Sequence, residues 1–140
     1  MKYATRMLAI ALMAAPLLAS AQLGSQNRIV AQVPFEFRAG SKIVPAGQCV
    51  VAAVSMNGTT LSIRNWDEKV TMFASTYPDT PPRGTGNSLV FRKYGDHYFL
   101  TEIRVAGSEI SYRLPESRIE AELRAQNGPS SEEILLAQLQ

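Results

Sequence analysis

The chain has 140 residues, with 14 Lys and Arg against 12 Asp and Glu, so its formal charge is +2. This near-balance excludes a basic nucleic-acid binder, which needs a cationic excess to contact phosphates. Hydrophobic residues make up 46% and charged residues 19%, which argues against a disordered chain. One His and one Cys exclude most zinc sites, an internal disulfide and Cys-His catalysis within one chain. We therefore expect neither a metal nor another cofactor.

The first segment is organised like a secretory signal peptide. Lys2 and Arg6 flank the start of the chain, residues 7–18 are apolar apart from a proline, and residues 19–21 read Ala-Ser-Ala. An apolar run of about 12 residues is shorter than the roughly 20 that span a bilayer. We therefore expect cleavage after residue 21, export to the periplasm or the cell exterior, and no transmembrane segment afterwards. Without this segment, acidic and basic residues are equal in number.

The middle of the chain predicts antiparallel strands, because apolar residues recur at every second position. In 33–37 the apolar residues are Val33, Phe35 and Phe37, and the intervening Pro34 favours a strand start or a sheet edge. A second strand is expected at 48–56, after a turn at 45–47.

Asn57-Gly58 is the strongest short hairpin signal in the chain, since a type I′ turn needs positive φ at both central residues. A two-residue turn at this point predicts one apolar face. The predicted pairs are Met56 with Thr59, Val54 with Leu61, and Ala52 with Ile63.

Further strands are expected at 70–76, 88–94, 97–105 and 109–114. Residues 77–87 hold three prolines and two glycines, which predicts a long irregular loop. In the pair around Gly95-Asp96, the apolar residues Leu89, Phe91, Phe99, Ile103 and Val105 all have odd numbers. Only a connecting loop of odd length gathers them on one face, so we predict a three-residue loop.

Two helices are expected after the strands. Ser117 and Glu120 have capping-box spacing, and Asn127-Gly128-Pro129 would end the helix. Its Ile119 and Leu123 would lay a narrow apolar stripe on the sheet. Ser130 and Glu133 repeat the capping pattern and predict a short tail helix with Ile134, Leu135 and Leu139 as its apolar residues.

About seven strands with short connections predict an all-β antiparallel meander that forms a small barrel or sandwich. The expected organisation is a signal peptide at 1–21, a flexible segment at 22–28, a β-domain with its C-terminal helix at 29–127, and a tail at 128–140. The lone Cys49 lies in an apolar run, which favours burial over an intermolecular disulfide.

Several short motifs resemble a family of small, uncharacterised exported β-proteins of soil bacteria. The motifs are Val-Pro-Phe-Glu-Phe at 33–37, Val-Pro-Ala-Gly at 44–47, Tyr-Gly-Asp-His-Tyr-Phe-Leu at 94–100 and Leu-Pro-Glu-Ser at 114–117. The resemblance extends over residues 29–125. It implies export and an all-β fold, and it carries no activity.

One face of the last hairpin and one loop residue are candidates for binding. Aromatic and Arg side chains together are enriched at interfaces, and Trp66, in a turn, could stack on a ligand or close one end of the core. An ordinary solvated face, with Glu102 neutralised by Arg92 or Arg104, is the alternative for the hairpin. The candidate binding residues are Arg92, Tyr94, Tyr98, Glu102, Arg104 and Trp66.

No catalytic or metal-binding set is apparent. Asp96-His97 is the only adjacent carboxylate and imidazole, and neighbouring residues rarely give the geometry of a triad. The sequence therefore favours an exported, non-catalytic domain that binds a protein partner or a small apolar ligand. The alternative is a small hydrolase-like enzyme with Asp96, His97 and Glu102 as acid–base groups.

Overall fold

A computed structural model describes residues 28–55, 57, 59–136 and 138–139. These residues form twelve strands and one helix. The predicted signal peptide, its cleavage site and most of the 22–28 segment lie outside these residues. The elements are β1 Ile29–Val33, β2 Phe37–Ala39, β3 Lys42–Val44, β4 Gly47–Ala53, β5 Thr60–Asn65, β6 Val70–Ser75, β7 Tyr77–Asp79, β8 Ser88–Tyr94, β9 His97–Arg104, β10 Ser111–Arg113, α1 Arg118–Asn127, β11 Ser131–Leu136 and β12 Gln138–Leu139.

The strands form two sheets that pack as a sandwich and do not close into a barrel. Sheet A has the order β12-β1-β4-β5-β6. Sheet B has the order β11-β8-β9-β10-β7, and the β2–β3 hairpin attaches to β9 by a parallel bridge. Buried residues of both sheets form one core, which includes Val51 and Ile63 from sheet A and Leu89 and Phe91 from sheet B. The all-β prediction is confirmed, and the sandwich is the alternative that forms.

The predicted strand at 33–37 is in fact two strands in different sheets. Val33 ends β1 in sheet A, and Phe37 begins β2 in sheet B. Both side chains are buried, which explains the alternation. Pro34 has no N–H to continue the ladder, so the chain leaves sheet A there and passes to sheet B.

The hairpin around Asn57-Gly58 forms, but its register is one residue away from the predicted one. Met56 and Gly58 lie outside the described residues. The N–H of Val54 donates to the carbonyl of Thr60 at 2.9 Å, so the loop is wider than a two-residue turn. The observed pairs are Ala53 with Leu61, Ala52 with Ser62, Val51 with Ile63, and Val50 with Arg64.

This slip exchanges the faces of β4, because neighbouring residues of a strand point to opposite sides of a sheet. Cys49 and Val51 point into the core and are 0% and 2% exposed. Val50 and Ala52 lie on the outer face of sheet A instead. Val54, expected on the buried face, is 53% exposed.

The β8–β9 hairpin has a two-residue turn at 95–96, because Tyr94 pairs with His97, so the predicted odd loop length is wrong. Instead, a β-bulge at Thr101 inserts one extra residue into β9 and shifts the register by one. Ile103 can therefore pair with Leu89 although Leu100 pairs with Phe91. The pairs that flank the bulge are Phe91 with Leu100 and Val90 with Glu102. Phe99 pairs with Arg92 and so lies on the face of sheet B that points away from sheet A.

The tail follows the edges of both sheets and does not form the predicted helix. β11 pairs along its whole length with β8, and β12 pairs with β1. An open edge of β8 offers unpaired N–H and C=O groups, and the tail satisfies them. A helix of so few residues has no comparable source of stability.

The shorter elements agree with the sequence in part. β6 lies within the strand predicted at 70–76, and β10 occupies the middle of the one predicted at 109–114. The predicted loop at 77–87 begins with β7, which pairs with β10. Helix α1 begins and ends as predicted, with Ser117 Oγ accepting from the N–H of Glu120 at 3.2 Å and Gly128 at the C-cap.

Candidate functional site

A buried asparagine organises the turn that presents Trp66. Asn65 is 0% exposed, and its Nδ2 donates to the carbonyls of Pro45 at 2.7 Å and Ala46 at 3.2 Å. Its Oδ1 accepts from the N–H of Glu68 at 2.9 Å. The N–H of Trp66 then donates to the carbonyl of Gln48 at 2.8 Å. This clamp fixes the backbone on both sides of Trp66, whose side chain is 55% exposed.

Arg64 and Trp66 form a stacked pair on the outer face of sheet A. The guanidinium carbon of Arg64 lies 4.5 Å from the centroid of the indole ring, a cation–π contact. They border a groove of about 220 Å³, whose floor comes from β4 and β5. The remaining lining residues are Arg28, Val50, Ala52, Ala53, Val54 and Ser62.

The same face carries a second exposed aromatic side chain. Phe73 on β6 is 58% exposed, and it pairs directly with Ser62 of β5, a lining residue of the groove. Trp66 was a sequence candidate, whereas Arg64 and Phe73 were missed. The spacing of Arg64 and Trp66 was a usable signal, because residues two apart along a strand share a face.

Four of the other binding candidates lie together on the outer face of sheet B, but three of these side chains are buried. Tyr94, Glu102 and Arg104 are 1%, 3% and 7% exposed, and only Arg92 is half-buried. The Arg104–Glu102 pair that the sequence suggested is present at 2.9 Å between Nη2 and Oε2, in a buried setting. This cluster therefore belongs to the packing of sheet B and offers little free surface.

Glu102 is the centre of that cluster. Arg113 Nη2 lies 3.6 Å from its Oε2, and Arg113 Nε lies 2.9 Å from Asp79 Oδ2. Burial raises the pKa of Glu102, but hydrogen bonds from Arg104 and Ser111 and the charges of Arg104 and Arg113 outweigh burial, so its pKa is below the ordinary value. Glu102 is thus a charged partner of two arginines.

Tyr98 lies apart from the other candidates, on the core side of sheet B. Its ring stacks on Phe35 with a centroid separation of 3.7 Å, and Phe35 in turn meets Phe91 edge-on at 5.1 Å. The bulge at Thr101 is the reason: it places Tyr98 and Glu102, both even-numbered, on opposite faces.

The alternative catalytic group is not assembled. Asp96 and His97 lie at the exposed β8–β9 turn. Glu102 is five residues further along β9, roughly 15 Å away at the rise of an extended strand, and its carboxylate is already paired. In the described part of the chain, no group of three or more His, Cys, Asp and Glu residues is placed to hold a metal ion.

Two further observations bear on the predicted partners. No helix in the described ranges is long and apolar enough to cross a membrane. The two sheets do not close into a barrel, the form whose interior could have held a small apolar ligand. Comparison with protein-family models, curated proteins and solved structures found no match to this chain.

Proposed function

We propose that this protein is an exported, non-catalytic binding domain that holds its ligand on the outer face of sheet A. The observation that carries the proposal is the Arg64–Trp66 pair, which is exposed and borders a groove on the outer face of sheet A. Trp and Arg are the residues in which binding energy is most often concentrated.

The surroundings of the pair support a binding face. Val54, Trp66 and Phe73 are each more than half exposed, which places three large apolar side chains on one side of the molecule. A soluble domain seldom exposes such a group unless it meets a partner or ligand. The clamp by Asn65 holds Trp66 in place before binding, which reduces the entropy lost when a ligand is bound.

Export is proposed from the N-terminal pattern of charged, apolar and small residues at 1–21. A single cysteine that lies buried in the core is compatible with an oxidising compartment. The resemblance to exported β-proteins of soil bacteria remains a prediction that agrees with this proposal.

The chain offers a natural reporter for this face, because Trp66 is its only tryptophan. The exported protein would be purified from the periplasm of an expressing bacterium and examined by native mass spectrometry for retained small molecules. Libraries of oligosaccharides, peptides and lipids would then be titrated while the fluorescence of Trp66 is recorded. We expect at least one compound class to give a saturable change.

The matched variants are Phe73→Ala on the proposed face and Tyr77→Ala on sheet B, since both remove an exposed aromatic ring. Binding that Phe73→Ala weakens and Tyr77→Ala leaves unchanged supports the proposal. Ligands that bind without affecting Trp66, and whose affinity Phe73→Ala does not change, would place the binding site elsewhere.

A further inference from the structure

We propose that the ligand of this face is an acidic polysaccharide, a chain that contains uronic acids, whose carboxylates bind Arg64 and Arg28. This inference rests on the proposed function and adds the chemical class of the ligand.

The first observation is the state of the Arg64 guanidinium. Its carbon lies over the indole ring of Trp66, 4.5 Å from the ring centroid, and a guanidinium in such a contact keeps N–H donors for other partners. Within the described residues, Arg64 makes no ion pair and no side-chain hydrogen bond. A guanidinium held in this way can receive a carboxylate through two parallel N–H···O bonds without first breaking another contact.

The second observation is the charge of the outer face. Arg28 lines the same groove as Arg64 and, in the described part of the chain, likewise has no ion-pair partner. The strands and hairpin turns of sheet A contain two described carboxylates, Asp67 and Glu68, both in the β5–β6 turn. Asp67 already accepts from the N–H of Gln48 at 2.9 Å. The groove is therefore cationic, and an anionic ligand complements it.

The third observation separates a sugar chain from other anions. The face carries short hydrogen-bonding side chains such as Ser62 and Thr71 beside the apolar strip of Val50 and Ala52. Such a surface suits a ligand with hydroxyl groups on its edges and C–H groups on its ring faces. A peptide that binds as an added strand needs a sheet edge, whereas β4 and β5, which form the floor of the groove, are inner strands of sheet A. An anionic membrane would gain only about 1 kcal/mol from each arginine.

The test uses a hexamer of galacturonate, with a neutral galactose hexamer and hexaglutamate as comparison ligands. The exported protein is titrated at low and at high salt while Trp66 fluorescence is recorded. We expect saturable binding of the uronate hexamer, at least tenfold weaker binding of the neutral hexamer and of hexaglutamate, and weaker binding at high salt.

Three variants report on the two arginines. Arg64→Gln should weaken binding at least tenfold and Arg28→Gln at least threefold, whereas Arg118→Gln, on the exposed surface of α1, should leave it unchanged. Thermal unfolding of each variant verifies that the fold is intact. Arg64→Lys keeps the charge without the planar fork and should recover less than half of the lost binding free energy.

Absence of uronate binding, or binding that Arg64→Gln does not weaken, would overturn this inference. Equal binding of the neutral hexamer would overturn the acidic class, and tighter binding of hexaglutamate would replace the sugar chain by a peptide. In each case, a response of Trp66 fluorescence to another compound would leave the proposed function standing. The proposed function itself fails only if no class of compound changes Trp66 fluorescence.

Discussion

The hydroxyl of Tyr94 on β8 donates a hydrogen bond to the Oε1 atom of Glu120 on α1, at 3.1 Å, and both side chains are buried. Glu120 is the one helix residue that is fully buried among those described. The expected capping box is therefore only half present: the backbone of Glu120 is held by Ser117, and its carboxylate holds the helix on sheet B.

Tyr94→Phe is expected to destabilise the protein by about 1–3 kcal/mol, because it leaves a buried carboxylate oxygen without its donor. Urea unfolding followed by circular dichroism measures the change. Tyr98→Phe is the control, since within the described residues the Tyr98 hydroxyl has no hydrogen bond, and we expect a change below about 0.5 kcal/mol. Equal effects of the two variants would contradict an anchoring role for the Tyr94 hydroxyl.

Glu120 makes the stability depend on pH. Burial raises its pKa, and the opposing hydrogen bond from Tyr94 and charge of Arg92 do not cancel this effect. Glu120 therefore binds its proton more tightly in the folded state, and protonation stabilises the fold. This contribution to the free energy of unfolding is complete below the pKa of a glutamate in the unfolded chain. It is lost as the pH rises through the higher pKa of Glu120 in the folded protein.

We expect wild type to lose stability relative to Glu120→Gln as the pH rises through this window, because the neutral amide still accepts from Tyr94. Unfolding free energies of both proteins, measured at intervals from acid to neutral pH, give the difference. A difference that does not change with pH would show that Glu120 has an ordinary pKa.

Glu102→Gln should cost about 3–5 kcal/mol, because it leaves the buried guanidinium of Arg104 with only the exposed Glu132 carboxylate, at 4.0 Å, as an ion-pair partner. The matched control is Glu122→Gln, which breaks the exposed pair with Arg118 one helical turn away and should cost less than about 0.5 kcal/mol. The midpoints of urea unfolding distinguish the two. Similar small effects would mean that the sheet B cluster is solvated.

Cys49 should not react with thiol reagents while the protein is folded. Burial and the nearby Asp67 raise its pKa to about 11, and the side chain is 0% exposed. At pH 8 roughly one thiol in a thousand is ionised. We expect Ellman's reagent to label Cys49 only in denaturant, whereas labelling within seconds in native buffer would contradict the core placement.

Much of the strand content was predictable from local patterns. Val70, Met72 and Ala74 recur at every second position, and in β6 they are the buried or half-buried residues, whereas the residues between them, Phe73 included, are exposed. The cap at Ser117 and the stop at Gly128 were equally readable, since each depends on residues within one helical turn. The candidate site was predictable only in part: Trp66 stood out by its type, but its partner Arg64 did not.

Other features were decided by the tertiary structure, because they depend on contacts between segments far apart in the chain. The bulge at Thr101 separates Tyr98 from Glu102, although both have the same parity in the sequence. The tail becomes a strand because the edge of β8 is available to pair with it.

The sequence by itself determined the strand alternation, the helix caps and the export pattern, all of which arise from neighbouring residues. The tertiary structure decided which face of each strand is covered, because the two sheets pack face to face and α1 packs on sheet B. For that reason, Tyr94 is buried beneath α1, whose Glu120 it contacts, and Trp66 is exposed. A period of two identifies the two faces of a strand, but only packing decides which face meets solvent.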